Sequence, residues 1–414
     1  MELVLTRPQL VRWRTAVFAI FLASGLSIAT WASRVPAIKS ALGVDNVEIG
    51  FLLLGAGVAS ILGLSLASAV LARFGAKRGM LGAMITFAVG VAIVGVGTDA
   101  VPSYAIVLLG LCLFGFGNGA VDVMMNVDGA AIEKQSNKTI LPLFHAFFSF
   151  GTVIGAGVGA LAAAAGINVL AHTVTMAVVV LAIALATYPA VPARDIAEDT
   201  EPGEKAGWRE RLHTNLSAWR EPRTYALGVI MLGMAFAEGG ANDWLALGVV
   251  EGHGATEAVG AAGLTVFSVS MTVVRVLGGP LVDRFGRVNT LRILAVTAAV
   301  GLLLFILAPN LPLVFVGAAL WGAGASLGFP LGMSAAADDP ARAAARVSAA
   351  ATIGYVAFLC GPPLLGFISE QIGLLNTLFI LVALIVASGI ASPAARPIAG
   401  STVGAGHPHH ETSA

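Results

Sequence analysis

The sequence predicts an all-α polytopic membrane protein: twelve membrane-spanning helices in two pseudo-symmetric six-helix bundles. Three observations predict it. Of 414 residues, 57% are hydrophobic and only 11% charged, whereas a soluble domain carries about 25% charged residues because its surface faces water. The apolar residues gather into twelve runs, each close to the roughly 20 residues that a helix needs to cross a bilayer. Stretches of the first half also reappear in the second at nearly constant spacing. Barrel strands would alternate outward-apolar and inward-polar residues, and these runs do not.

Taken in order, the predicted spans cover residues 13–33, 48–71, 79–97, 103–126, 139–165, 168–189, 224–248, 257–281, 291–308, 312–335, 345–368 and 374–392, between charged or Pro/Gly-rich breaks. The first span follows Arg12 and Arg14 and has the look of a secretion signal. Eleven more spans follow it, so it reads as a retained helix. Lys and Arg set the orientation, since they concentrate in cytoplasmic segments. With the N-terminus inside, twenty of the 23 basic residues collect in cytoplasmic segments or at the cytoplasmic ends of spans, Arg34 and Lys39 fall in outer loops, and Arg275 lies deeper within a span. A cytoplasmic (inner) membrane location follows, with both termini in the cytoplasm. Net charge is zero, so no global field argues for nucleic acid. Cys112 and Cys360 sit far apart in apolar runs and read as small buried hydrophobes.

The predicted domains are residues 1–190, a six-helix bundle; 191–222, a cytoplasmic linker; 223–392, a second bundle; and 393–414, a disordered cytoplasmic tail. The linker begins acidic and Pro/Gly-bearing. It then sets Trp208, Leu212, Leu216 and Trp219 at helical spacing among Arg residues, which suits either a helix lying in the membrane interface or a plain tether. The repeat runs across this linker. "SAVLARFGAKR" from Ser68 matches "GPLVDRFGRVN" from Gly279, an offset of 211; "LFGFGNG" matches "LWGAGAS" at 207; Trp31 matches Trp244 at 213. Parallel six-helix repeats are one transporter plan, with the solute site between the halves.

"GGPLVDRFGR" (Gly278–Arg287) resembles the G-x-x-x-D-R-x-G-R loop of the major facilitator superfamily, and the likeness extends over essentially the whole chain. The first-half copy departs from it: Ser68, Ala72 and Ala76 replace the glycine, the aspartate and the last arginine, while Arg73 and Gly75 remain. The resemblance implies the major facilitator fold and a cytoplasmic latch around Asp283, Arg284 and Arg287, with Arg73 as the surviving first-half member. "GFGNGAVDVMMN", "LPLFHAFFSFGTVIGAG" and "AEGGANDWL" further resemble the fucose/galactose–proton symporter-like branch and its putative-transporter relatives. Sugar symporters of that branch carry an acid in helix one, and residues 13–33 contain none.

Polar groups at hydrocarbon depth face a bundle interior or a wet cavity, because lipid exposure costs several kcal/mol per charge. Asp122 is therefore the first proton-coupling candidate, against a structural bond between helices. Asn126, one turn on, orients the acid or bonds a solute hydroxyl. Glu238 and Asn242 share a face of helix seven and lie beside Asp243 and Trp244, a grouping suited to a hydroxylated solute. Glu238 is a candidate for both proton coupling and solute binding, whereas Asp243 reads equally as a cap or outer gate. Trp31 and Trp244 fit stacking on a solute or anchoring at the interface. His145 reads as a proton relay or a structural bond. Arg275 is expected to pair with Asp283, or with Asp122 across the halves. The Gly/Ala run Gly151–Gly166 suits close helix packing.

The expected function is secondary active transport of a small polar solute, sugar or sugar-like, by alternating access, with proton symport. Proton-driven efflux of an amphiphilic compound is the alternative. A non-transporting receptor would need a large output domain, and an enzyme would need a nucleophile–base pair or metal set; neither is apparent. The expected partners are a small-molecule substrate, protons and membrane lipid, for a monomer without cofactor or metal.

Overall fold

The computed structural model describes residues 6–136, 140–193, 218–339 and 342–398. Twelve helices among them are long and apolar enough to cross a membrane: α1 (Arg7–Ala32), α2 (Asn46–Ala67), α3 (Ala69–Ala100), α4 (Tyr104–Ser136), α5 (Leu143–Ala164), α6 (Val169–Ala190), α7 (Pro222–Gly252), α8 (Glu257–Val276), α9 (Gly278–Leu307), α10 (Leu311–Ala336), α11 (Ala345–Ile372) and α12 (Leu374–Ala395). The described residues include no strand. With an even number of spans, α1 begins and α12 ends at one face, the terminal face; the opposite one is the far face.

Local sequence explains where the spans start. Several helices entering from the far face begin on polar caps that satisfy their free N–H groups. Asp45 and Glu48 form a capping box on α2, Asn168 accepts from Ala171 N in α6, and Asn310 accepts from Leu313 N in α10. At the terminal face α7 starts on Pro222, and α1 carries Pro8 in its first turn beside a Thr6–Gln9 capping box; proline's missing N–H costs nothing there. Large apolar side chains point outward, Leu161 at 71% and Ile390 at 75% exposed, as expected of a surface that faces lipid.

The repeat seen in the sequence is a repeat of backbone geometry. Gly75 and Gly286, 211 apart, break helical geometry at φ/ψ of 72°/168° and 73°/160°, a region open essentially to glycine alone. Gly115 of α4 lies so close to α2 that a Cβ on it would come within 2.1 Å of the Ala56 carbonyl oxygen; Gly322 of α10 meets the Phe267 carbonyl oxygen of α8 at 2.2 Å in the same sense.

Two expectations about element limits change. The segments expected as loops at 72–78 and 282–290 are helical apart from the break at one glycine; neither holds a proline, so nothing else in them interrupts the helix. Helix four runs ten residues past its expected end, to Ser136; its last turns carry charges that leave the membrane without leaving the helix. Of the expected interfacial helix, Trp208, Leu212 and Leu216 lie outside the described residues, and Trp219 sits edge-on to Tyr225 at 6.2 Å. Most of the tail, 399–414, also lies outside them.

Candidate functional site

Two groups of polar side chains stand in the spans. On α4, Asn118, Asp122 and Asn126 recur every fourth residue and so share one face. Ser24 of α1 donates to Asn118 Oδ1 at 2.7 Å. Asn126 Nδ2 donates to the Asp122 carbonyl at 2.8 Å and reaches the Asp122 carboxylate at 3.4 Å. Asp122 and Asn126 both keep partial exposure.

The second group crosses from one lobe to the other. Glu238, near the middle of α7, accepts from Arg275 Nη2 of α8 at 2.7 Å, and both side chains stay about one-fifth exposed, at 19% and 20%. The same guanidinium gives Nε to the Ser326 carbonyl of α10 at 3.0 Å and Nη1 to Ser149 Oγ of α5 at 3.3 Å. Thr272 of α8 donates to the Ser149 carbonyl at 3.4 Å. One arginine therefore ties a carboxylate of the second lobe to a hydroxyl of the first. His145 lies one turn before Ser149, is exposed, and sets its ring edge-on to Phe21 at 5.2 Å. Asn242 and Asp243 are half-buried, with no hydrogen-bond partner among the described residues.

The expected pairing of Arg275 with Asp283 or Asp122 is thus corrected. Its partner is Glu238, which faces it across the α7–α8 contact. Trp31 and Trp244 are not interfacial anchors: they are 7% and 0% exposed. Trp31 packs edge-on to Phe114 at 6.5 Å, and Trp244 lies against α11 at Gly366. Both indole N–H groups are buried without a partner, and neither ring face is open to a solute in this conformation.

The latch residues are not gathered either. Asp283 is exposed, Arg284 lies over the Phe285 ring at 5.4 Å and Arg73 over Phe74 at 5.8 Å. Arg287 turns into its own lobe, where Nη1 meets both Asp338 carboxylate oxygens at 2.9 Å and Arg223 joins the same acid at 3.0 Å. Nearby, Glu221 takes Arg346 at 2.6 Å and Arg342 at 2.9 Å. Burial pushes the Glu221 carboxyl up, but the bonds from Arg346 and Arg342 outweigh it and its pKa falls below the ordinary glutamate value.

Some paired groups were not singled out from sequence. Asp128, fully buried on α4, accepts from Trp13 Nε1 at 2.9 Å and pins α1 to α4. Asn118 had a legible signal in its four-residue spacing from Asp122; Ser149 and Asp338 had none.

This two-lobe, twelve-helix arrangement with an ion pair at the lobe seam defines a class, the transporters built from two six-helix repeats. The Major Facilitator Superfamily model matches residues 16–264 and 227–405. The uncharacterized transporter y4wD of Sinorhizobium fredii is 30% identical over 387 residues, 92% of this chain and 97% of that protein. Among solved structures, the nucleoside transporter NupG superposes with a TM-score of 0.69 at 15% identity, covering 94% of this chain and 98% of that one. FucP, a major facilitator transporter in an outward conformation, gives 0.64 at 16% identity over 92% and 98%. The chain belongs to the major facilitator superfamily; it is a multi-pass membrane transporter.

Proposed function

We propose that this transporter moves a small polar solute, sugar or sugar-like, across the cytoplasmic membrane by alternating access, coupled to proton symport. The observation that carries the reading is the Glu238–Arg275–Ser149 chain, partly wet and joining the two lobes within the membrane. A charge in lipid costs several kcal/mol, so this group is retained where water reaches it. A proton on Glu238 removes the charge that holds Arg275, and the guanidinium is then free to release Ser149. Asp122 is the second proton site, and Asn126, Asn242 and Asp243 supply bonds to solute hydroxyls. His145, one turn from Ser149, is placed to relay a proton to this seam. FucP is a fucose–proton symporter by its description and NupG a nucleoside transporter; both descriptions support a hydroxylated solute. The basic residues of the terminal face support a cytoplasmic placement for it, and a monomer is the form we infer.

The test is a thermal-shift screen of the purified protein against sugars, nucleosides and amphiphilic drugs, followed by flux of the hit into proteoliposomes under an inward proton gradient. A hydroxylated solute that stabilises the protein and accumulates supports the proposal. Accumulation only when the gradient is reversed, with an amphiphile as the hit, replaces it with efflux.

A further inference from the structure

Hydrogen bonds between described residues of the two lobes fall at two places: the α5–α8 seam around Ser149, and the far face. The far-face set belongs to no feature discussed so far. A short helix, Val35–Leu42, follows α1 and brings Lys39 over the start of α2. Lys39 Nζ forms an ion pair with Glu251 at the end of α7 and also donates to Asn46 Oδ1 at 2.6 Å. Asn46 is the first residue of α2 and only 5% exposed. Its backbone N–H donates to Glu370 Oε1 of α11 at 2.8 Å, and its side-chain amide reaches Glu251 Oε2 at 3.5 Å.

Charge and backbone agree here. The first lobe contributes an ammonium and a helix N-terminus, whose unpaired N–H groups favour an anion. The second lobe contributes two carboxylates. Asp45 already occupies the Glu48 N–H in the capping box, so Glu370 takes an N–H that the cap leaves free. Below these bonds α2 and α11 touch main chain to main chain: a Cβ on Gly366 would lie 2.3 Å from the Asn46 carbonyl oxygen. The four polar residues rim an open hollow of about 470 Å³ with Ser369 and Asn376. Solute approaching from the far face meets this joint first.

We propose that Lys39 and Asn46 of the first lobe, with Glu251 and Glu370 of the second, form a far-face lock whose parting opens that side of the transporter. These are positioning residues: they touch no solute and act through the arrangement of the lobes. Alternating access requires the lock to open once per cycle, so its strength sets how the two conformations are populated. Among the described residues one ion pair, one backbone N–H bond and one longer amide contact cross this joint, few enough for a lobe motion to break. The inference takes from the proposed function only that the lobes move against each other, and its test reads that motion rather than flux. It can therefore fail while sugar transport stands, and the reverse.

The test uses full-length protein in nanodiscs with Cys112 and Cys360 changed to Ser. A single reporter, Ser369→Cys, is placed at the joint, where the native Ser369 is buried, and its reaction with N-ethylmaleimide is followed. Adding Glu370→Gln or Lys39→Ala should speed labelling about tenfold, the loss expected for one charge-assisted bond. Exchanging the pair, Lys39→Glu with Glu251→Lys, should bring the rate back toward the parent while either half alone does not. Unchanged labelling in Glu370→Gln, or no recovery in the exchanged pair, overturns the lock. A variant whose melting temperature falls without a change in labelling would mark these residues as structural only, and also overturns it.

Discussion

Asp122 and Glu238 are both acids set in the membrane, one in each lobe, yet they are held in opposite ways. Glu238 faces a guanidinium at 2.7 Å. Asp122 has no basic partner among the described residues, only an amide on its own helix at 3.4 Å. The repeat makes the contrast sharper. At the helix-pair offsets, the position of Asp122 is taken by Phe329 in the second lobe, that of Glu238 by Gly25 in the first, and that of Arg275 by Leu64. Duplication thus copied the helix packing and left the charges unique to each lobe. An acid with a fixed counter-charge is suited to report its proton through that partner. An acid without one is suited to take up and release the proton itself, since among the described residues only one long amide contact supports its charged form.

The largest effect should come from breaking the unpaired side. Asp122→Asn should abolish proton-driven accumulation, a drop of about a hundredfold in the range expected for a general acid–base group, while counterflow exchange of preloaded solute continues. Equal loss of both modes would make Asp122 a structural residue. On the paired side, Arg275→Ala strands the Glu238 carboxylate and should cost about 1–3 kcal/mol of stability, the cost of leaving a buried partner unmade. Adding Glu238→Gln should recover part of that loss, and a thermal-unfolding double-mutant cycle reads the coupling directly. Glu238→Gln alone should weaken solute binding about tenfold, the value of one charge-assisted bond, as measured by calorimetry. The smallest effect sharpens the contrast between acids and aromatics. Trp244→Phe should leave affinity within about twofold, because the indole is sealed against α11 and its N–H has no partner to lose. A larger loss would mean that the ring is uncovered in another conformation and meets the solute there.

Much of this was legible in the chain. Twelve apolar runs became twelve helices, because a bilayer imposes one length on every span. The matched glycines also kept their meaning: Gly75 with Gly286, and Gly115 with Gly322, do the same structural work in each lobe. Glu238, Arg275 and Asp122 each stood out singly, as ionisable groups in apolar runs do. Their pairing did not. Arg275 was within sequence reach of Asp283, but α8 carries its guanidinium toward α7, and no local pattern encodes that neighbour. The latch residues show the same limit, since Arg287 finds Asp338 on the α10–α11 connection instead of gathering with Asp283 and Arg284. The far-face residues gave no signal at all, because Lys39, Glu251 and Glu370 lie at helix ends, where charges are ordinary.

The sequence by itself determined the membrane solvent, the number of spans, the two-fold repeat and the short set of ionisable residues inside it. Each follows from local cost: apolar length against bilayer thickness, a Cβ against a neighbouring carbonyl, a charge against hydrocarbon. Only the tertiary structure decided which acid keeps a base, which indoles are sealed, and where the lobes are joined. Those depend on residues far apart in the chain meeting across helices, and such contacts are set by how the whole bundle packs.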